Sequence, residues 1–309
     1  MTTRKPMSEA SPDTPLEAAH LACVLSFNAT DPSGAGGITA DALTAASAGV
    51  HLLPVTCAIW VRDTSAIHDH FPVDDEVIVD QARAALQDGS VACIKVGFLG
   101  NAENIAAVSG LLSDYGDLPV VAYMPDLSWM DDLSIDNYLD AFADLLLPQV
   151  SVLVGNHATL VRWLLPDWAS AQPPGPRDLA RAAAELGAAY TLMTGAQSAD
   201  DHLENHLASP DTVVTSARFE RFTAQFIGAG DTLSAALTAL LGAGADLQTA
   251  CNEALSYLDQ ALDGGFQPGM GRAIPDRLFW ADGDDPADDD DSPLGPDALA
   301  EFPVDDTRH

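Results

Sequence analysis

The chain has 309 residues, and its 46 Asp and Glu against 13 Lys and Arg leave a formal net charge of −33. A surface this negative repels phosphate backbones and anionic lipid, which argues against nucleic-acid and membrane partners. Hydrophobic residues reach 47%, more than disordered acidic chains carry, so a globular core is expected.

Residues 1–20 read as a flexible arm, rich in Ser, Thr and Pro and without the apolar stretch of a signal peptide. LACVLSF (21–27) is a buried strand by length and flanks, and ITADALTAASAG (38–49) a helix ending at Gly49. LLPVTCAIWV (52–61) is a second strand, with a helical stretch near 74–87. VACIKVG (91–97) is a third, backed by a helix over 104–116. VVAYM (120–124), VSVLVG (150–155) and AYTLMTG (189–195) continue the series, with a helix at 177–187 after a PPGP linker. Such alternation predicts an α/β domain over 21–280, a three-layer αβα fold around a mainly parallel, doubly wound sheet. Its site is expected beyond the carboxyl ends of the strands.

Residues 281–309 read as a disordered acidic tail that contributes −10, so the first 280 residues are acidic in their own right. Cys23, Cys57, Cys93 and Cys251 lack CxxC spacing and read as buried free thiols of a reducing, cytoplasmic compartment.

Two glycine-rich segments each follow a strand and open a helix: NATDPSGAGGITAD (28–41) and FIGAGDTLSAALTALLGAG (226–244). The first has Thr39 where a dinucleotide fingerprint needs its third Gly, and neither contains the GK[ST] of a P-loop. In Gly228-Ala229-Gly230-Asp231, backbone N–H groups at a helix start suit a transferring phosphoryl group. Asp231 suits deprotonation of a hydroxyl in line with it. The plainer alternative is a tight turn with an Asp N-cap.

Together the two segments resemble the ribokinase-like (PfkB) superfamily, and within its vitamin kinases the hydroxymethylpyrimidine/phosphomethylpyrimidine kinases of thiamine biosynthesis. IKVGFL (94–99), LLPQVSVLVGN (146–156), GAGDTLSAALTALL (228–241) and GMGRAIP (269–275) fall in that family's order. The resemblance implies transfer of the γ-phosphoryl of ATP, with Mg²⁺, to the hydroxymethyl group of a pyrimidine or a related pyridine such as pyridoxal. It maps Gly228, Ala229 and Gly230 onto an anion hole, Asp41 and Phe98 onto substrate contacts, and Asn156, Thr194 and Gly195 onto the nucleotide side. A homodimer is a family-level expectation, and no protein ligand for the metal is assigned.

The departures bear on substrate and turnover. Asp231 stands where pyrimidine kinases usually carry Cys. Arg62 replaces a ring-reading Gln, which suggests a ring presenting acceptors or an anionic group; the alternative is a rim Arg paired with Asp63 or Asp69. A Lys is replaced by Thr194, a Mg²⁺-linked Glu by Thr159, and an Asp-Pro-Val-Met motif by Tyr123-Met124-Pro125-Asp126. These losses remove positive charge with nothing evident in its place, so a second reading stays open: a ligand-binding, regulatory protein on the same fold. His68-Asp69-His70 reads as a solvated loop rather than a metal site, and Asp288 to Asp291 lack EF-hand spacing. Trp163 and Trp168 suit packing of a surface helix or a subunit contact.

Overall fold

Val24 and Leu25 are neighbours in sequence but join different cores, because successive strand residues face opposite sides of a sheet. The same split recurs at Cys93 and Ile94 and at Val121 and Ala122. Strands buried on both faces read as unbroken apolar runs, and that made them legible. In this computed structural model residues 21–198 and 202–281 are described. The chain divides at Phe279, and the sheet with its helices lies in the unit that ends there. The arm at 1–20 and the tail from 282 lie outside the described residues.

Nine strands form one sheet: β1 (Cys23–Thr30), β2 (His51–Arg62), β3 (Ile67–Pro72), β4 (Val91–Val96), β5 (Val120–Met124), β6 (Val152–Asn156), β7 (Tyr190–Gln197), β8 (His202–Ala208) and β9 (Val213–Glu220). Their order is β3-β2-β1-β4-β5-β6-β7-β8-β9. The strands from β2 through β7 pair in parallel, while β3, β8 and β9 add antiparallel edges. On one face lie α2 (Asp75–Asp88), α3 (Ala102–Leu112), α4 (Asp132–Ala141), α5 (His157–Leu164) and α6 (Pro176–Glu185). On the other lie α1 (Gly37–Ser47), α7 (Ala229–Gly242) and α8 (Leu247–Asp263). Buried side chains such as Phe27, Ile94 and Ile105 each contribute about 1.5–3 kcal/mol by leaving water.

The three-layer α/β architecture agrees with the sequence reading, and the edge strands correct it. His68-Asp69-His70 lies on β3, paired with β2, not in a loop. The apolar-run criterion passes over β3, β8 and β9 because polar residues interrupt these antiparallel strands, as in HLENHLA. The four cysteines are free thiols, and burial raises Cys57, Cys93 and Cys251, the last two to about 12. Trp163 packs edge-on against Phe142 at 5.5 Å. Trp168 hydrogen-bonds the Gln172 carbonyl at 2.7 Å.

Candidate active site

Strand order reverses around β1, whose neighbours are β2 and β4. Loops leaving β1 and β4 therefore diverge to opposite faces and open a crevice at their carboxyl ends. Under it, the face toward α1 and α7 carries Ser26, Asn28 and Lys95 where alternation calls for apolar side chains, and all three are buried. Buried polar groups require partners, and the two helices supply them as Asp41 from α1 and Asp231 from α7.

Lys95 Nζ donates to Asp41 Oδ1 at 2.5 Å and to Asp231 Oδ1 at 2.9 Å. Asn28 Nδ2 donates to the same two carboxylates, at 3.0 and 2.8 Å, while its Oδ1 accepts from the backbone N–H groups of Ala29 and Phe98. Ser26 donates to Asp41 Oδ2 at 2.7 Å, and Asp231 Oδ2 accepts from Gly37 N at 3.1 Å. Burial pushes the Asp41 carboxyl up, and the opposing pull of Lys95 does not offset it. Burial acts on Asp231 the same way, but the charge and hydrogen bond of Lys95, with Asn28 and Gly37, hold it below the usual carboxylate range. For Lys95, burial favours the neutral amine, and the two carboxylates outweigh it to hold the ammonium. Neighbouring environments thus drive two chemically identical side chains in opposite directions.

The glycines of the second loop are dictated by contact. Gly228 caps α7 with φ of +82°, and a Cβ there would run into the Ala35 carbonyl. At Gly230 a Cβ would meet the Tyr123 ring. The N–H groups of Ala229, Gly230 and Asp231 open the 14-residue α7, so helix geometry leaves them without intrahelical acceptors. Arg277 locks the two glycine loops together: buried, it donates to Thr232 Oγ1 at 3.0 Å, to Gly34 O at 3.3 Å and to Ala35 O. Asp31 shapes the first loop by accepting from Ser33 N and Gly36 N, both at 2.8 Å.

These loops floor a cavity of about 440 Å³, within the range that holds small organic ligands. Asp231, Gly228, Ala229, Gly230, Arg62 and Phe98 line it. Asp41 does not: it lies wholly buried, beside Lys95 and Asp231. Trp60, Phe98 and Trp129 form an aromatic wall, with Trp60 stacked on Phe98 at 5.6 Å and Trp129 edge-on to Phe98 at the same spacing. His70 sits between Phe98 and Trp129, at 5.4 and 5.1 Å. Arg62 pairs with Asp31 at 3.5 Å, donates to the Asp63 carbonyl and lies over the Trp60 ring. It lines the cavity, and its acidic partner is Asp31 rather than the Asp63 or Asp69 carboxylate of the rim alternative. The hairpin tip above it is strapped down by the late glycine segment. Gly271 N donates to Thr64 Oγ1 at 3.1 Å and Arg272 N to Thr64 O at 3.0 Å, and Arg272 joins the cavity wall.

Asn156 and Thr194 line both this cavity and a neighbouring cleft that holds Gly195, Asn205, Arg221 and Phe222. The cleft is not devoid of positive charge, since Arg221 forms part of it. Among the described residues no group of three His, Cys, Asp or Glu could hold a metal ion. Asp126 and Asp231 are the carboxylates lining the main cavity. With Asp231 engaged by Lys95, Asn28 and Gly37, Asp126 is the carboxylate that fits Mg²⁺ carried on nucleotide phosphates and water, a metal that needs one or two carboxylates at most.

Sequence reasoning missed Ser26, Asn28, Lys95, Trp60, Trp129 and Arg277. Only Lys95 left a signal, as a charged residue inside a buried strand.

Comparison with known proteins bears on family and fold. The family described as phosphomethylpyrimidine kinase matches residues 31–276. A hydroxymethylpyrimidine/phosphomethylpyrimidine kinase of Mycobacterium bovis is 28% identical over 272 residues, covering 83% of this chain and 94% of that protein. In fold, the chain is similar to a Bacillus subtilis pyridoxal kinase solved as an ADP complex, with TM-score 0.76 and 21% identity over 85% of this chain and all of that one. It is also similar to a Staphylococcus aureus pyridoxal kinase solved with AMP-PCP and pyridoxal, with TM-score 0.74 and 22% identity over 85% and 95%. The family match runs from the first glycine loop through the late segment that straps the hairpin, so the chain belongs to the phosphomethylpyrimidine kinase family.

Proposed function

We propose that the protein transfers the γ-phosphoryl group of ATP to the hydroxymethyl group of a pyrimidine, or of a related pyridine such as pyridoxal. One observation carries this: the Asp231 carboxylate stands at the N-terminus of α7, in a cavity walled by Trp60, Phe98 and Trp129. Aromatic faces suit a flat heteroaromatic ring, and an ionised carboxylate beside exposed amides suits in-line phosphoryl transfer.

The ring lies against the aromatic wall with its hydroxymethyl group toward Asp231. Asp231 accepts the hydroxyl proton as the oxygen attacks phosphorus. The amides of Ala229, Gly230 and Asp231 stabilise charge on the phosphoryl oxygens. Mg²⁺, when bound, neutralises phosphate charge. The crevice from Asn156 and Thr194 to Gly195 and Arg221 supports the nucleotide, as do the nucleotide complexes of the two pyridoxal kinases. No observation favours the non-catalytic alternative.

The test is ATP consumption with hydroxymethylpyrimidine, its monophosphate and pyridoxal, beside an Asp231→Ala control. Substrate-dependent turnover that the control lacks is expected, and equal rates in the two proteins would refute the assignment.

A further inference from the structure

Lys95 is one of two lysines in the chain, and its side chain is 1% exposed near the carboxyl end of the buried strand β4. An ammonium in such a place is costly unless it is paired, and one carboxylate is enough to pair it. Asp41, itself wholly buried, already does so. The second contact is therefore informative: Nζ also reaches Asp231, the carboxylate that faces the cavity.

That contact falls on Asp231 Oδ1, which also accepts from Asn28. Oδ2 takes only the Gly37 N–H in the hydrogen bonds of this cluster, and it lies beside Gly36 in the cavity wall, close enough that a Cβ on Gly36 would meet it at 2.7 Å. Lys95 and Asn28 thus fix one oxygen from behind and leave the other with a free lone pair on the ligand side.

We infer that Lys95 is the positioning residue of the proton acceptor, sharing its ammonium between Asp41 and Asp231 so that Asp231 stays ionised with Oδ2 toward the substrate hydroxyl. The inference rests on the reading of Asp231 as the base. In the step it supports, the hydroxyl proton passes to Oδ2 and a bond forms from the hydroxyl oxygen to the γ-phosphorus. The bond from that phosphorus to the β–γ bridging oxygen breaks, and ADP leaves with the electron pair. Lys95 keeps its protons throughout.

Other charged or titratable groups near Asp231 are Arg277 beside Thr232, Tyr123 on β5, Arg62 with Asp31 across the cavity, and Asp126 and Arg272 in the cavity wall. Burial raises Tyr123, so it stays neutral. Arg277 is held by Thr232 and two carbonyls, and Arg62 by Asp31. Lys95 alone of these touches both carboxylates.

The experiment is the pH dependence of kcat in the full-length protein with hydroxymethylpyrimidine and ATP. Lys95→Met is expected to move the acidic limb up by about one pH unit or more and to lower kcat at neutral pH by about tenfold. Lys95→Arg, which keeps the charge, is expected to return the limb toward its wild-type position. A Lys95→Met limb that stays put overturns the inference. Where Lys95→Met does not fold, the charge-balanced pair Lys95→Met with Asp41→Asn replaces it, and its limb is also expected to rise. A limb at the wild-type position in the pair overturns the inference equally. Asp231→Asn is measured alongside. Full activity there defeats the base assignment itself, whereas lost activity with an unmoved Lys95→Met limb defeats only the role of Lys95.

Discussion

At the carboxyl ends of β1 and β4, the side chains of Ser26, Asn28, Asp41, Lys95 and Asp231 answer one another at 2.5–3.0 Å. At the ends of β6 and β7 the construction is different. Asn205 Oδ1 accepts from the Gly195 N–H at 3.0 Å, and its Nδ2 is buried with no partner among the described residues. A saturated network in a low-dielectric interior is rigid before any ligand arrives. An unsatisfied buried donor costs about 1–3 kcal/mol until an acceptor reaches it. The contrast assigns preorganisation to the proton-transfer network and completion by ligand to the proposed nucleotide end, with Trp60 Nε1 a further buried donor lacking a partner among the described residues in the aromatic wall; the division is economical when only the network must align a proton transfer.

The largest effect is expected where the preorganised end performs its chemistry. Asp231→Asn keeps the shape but removes the proton acceptor, its one oxygen meeting either Lys95 and Asn28 or the Gly37 N–H, and kcat is expected to fall by about 10²–10⁴-fold. The Michaelis constant for ATP is expected to change far less, because Asp231 belongs to the other end. A rise in the Michaelis constant for ATP on the scale of the fall in kcat, read by steady-state kinetics, would contradict the proposed division.

Next comes the loop that joins the ends. Gly228→Ala forces a side chain onto φ of +82° and against the Ala35 carbonyl, so a stability loss of about 1–3 kcal/mol is expected from the backbone conformation alone. A thermal melt reads it directly. Turnover is expected to fall as well, because Gly228 sets the entry angle of α7 and with it the three amides.

The glycine loops and the alternating strands were legible because both obey local rules. Unbroken apolar runs marked β1, β2, β4, β5, β6 and β7, helical periodicity marked α1, α2, α3 and α6 but passed over α4 and α5, and GAGD marked the cap of α7 and its acid. Lys95 sat in plain view inside IKVG, yet its meaning depends on Asp41 and Asp231, which lie 54 and 136 positions away. Asn28 and Ser26 are short polar residues in a strand and carry no local mark of a long-range pairing. Arg62 illustrates the converse. The alternative of a rim Arg drew its partners, Asp63 or Asp69, from nearby sequence, whereas the turn after β1 brings Asp31 to it. The net charge of −33 suggested a site short of positive charge; folding instead gathers Arg62, Lys95, Arg272 and Arg277 around one crevice.

Arg62 gives a third, smaller effect at the preorganised end. Its charge is held in place by Asp31 and Trp60, so a substrate meets a fixed donor rather than a mobile chain. Arg62→Gln exchanges a pure donor for a group that both donates and accepts. The ratio of kcat/KM between hydroxymethylpyrimidine and its monophosphate is expected to shift by about tenfold, or 1.4 kcal/mol, against the phosphorylated ring. An unchanged ratio would confine Arg62 to a structural role in holding Asp31.

The smallest effects are expected at the nucleotide end, and they test the contrast most directly. Asn205→Asp keeps an oxygen for the Gly195 N–H, deletes the orphan Nδ2 donor and adds a charge that repels phosphate. If that donor waits for the nucleotide, the Michaelis constant for ATP rises by about three- to tenfold while kcat holds, since the Asp231 network is untouched. Arg221→Ala is expected to act in the same direction with a steeper dependence on salt, because its charge lies at the exposed rim where ions screen it. The two changes should add within error if Asn205 and Arg221 meet different parts of the nucleotide. A fall in kcat with either variant, at an unchanged constant for ATP, would show that the two ends are mechanically joined and that the nucleotide side helps to set the base after all.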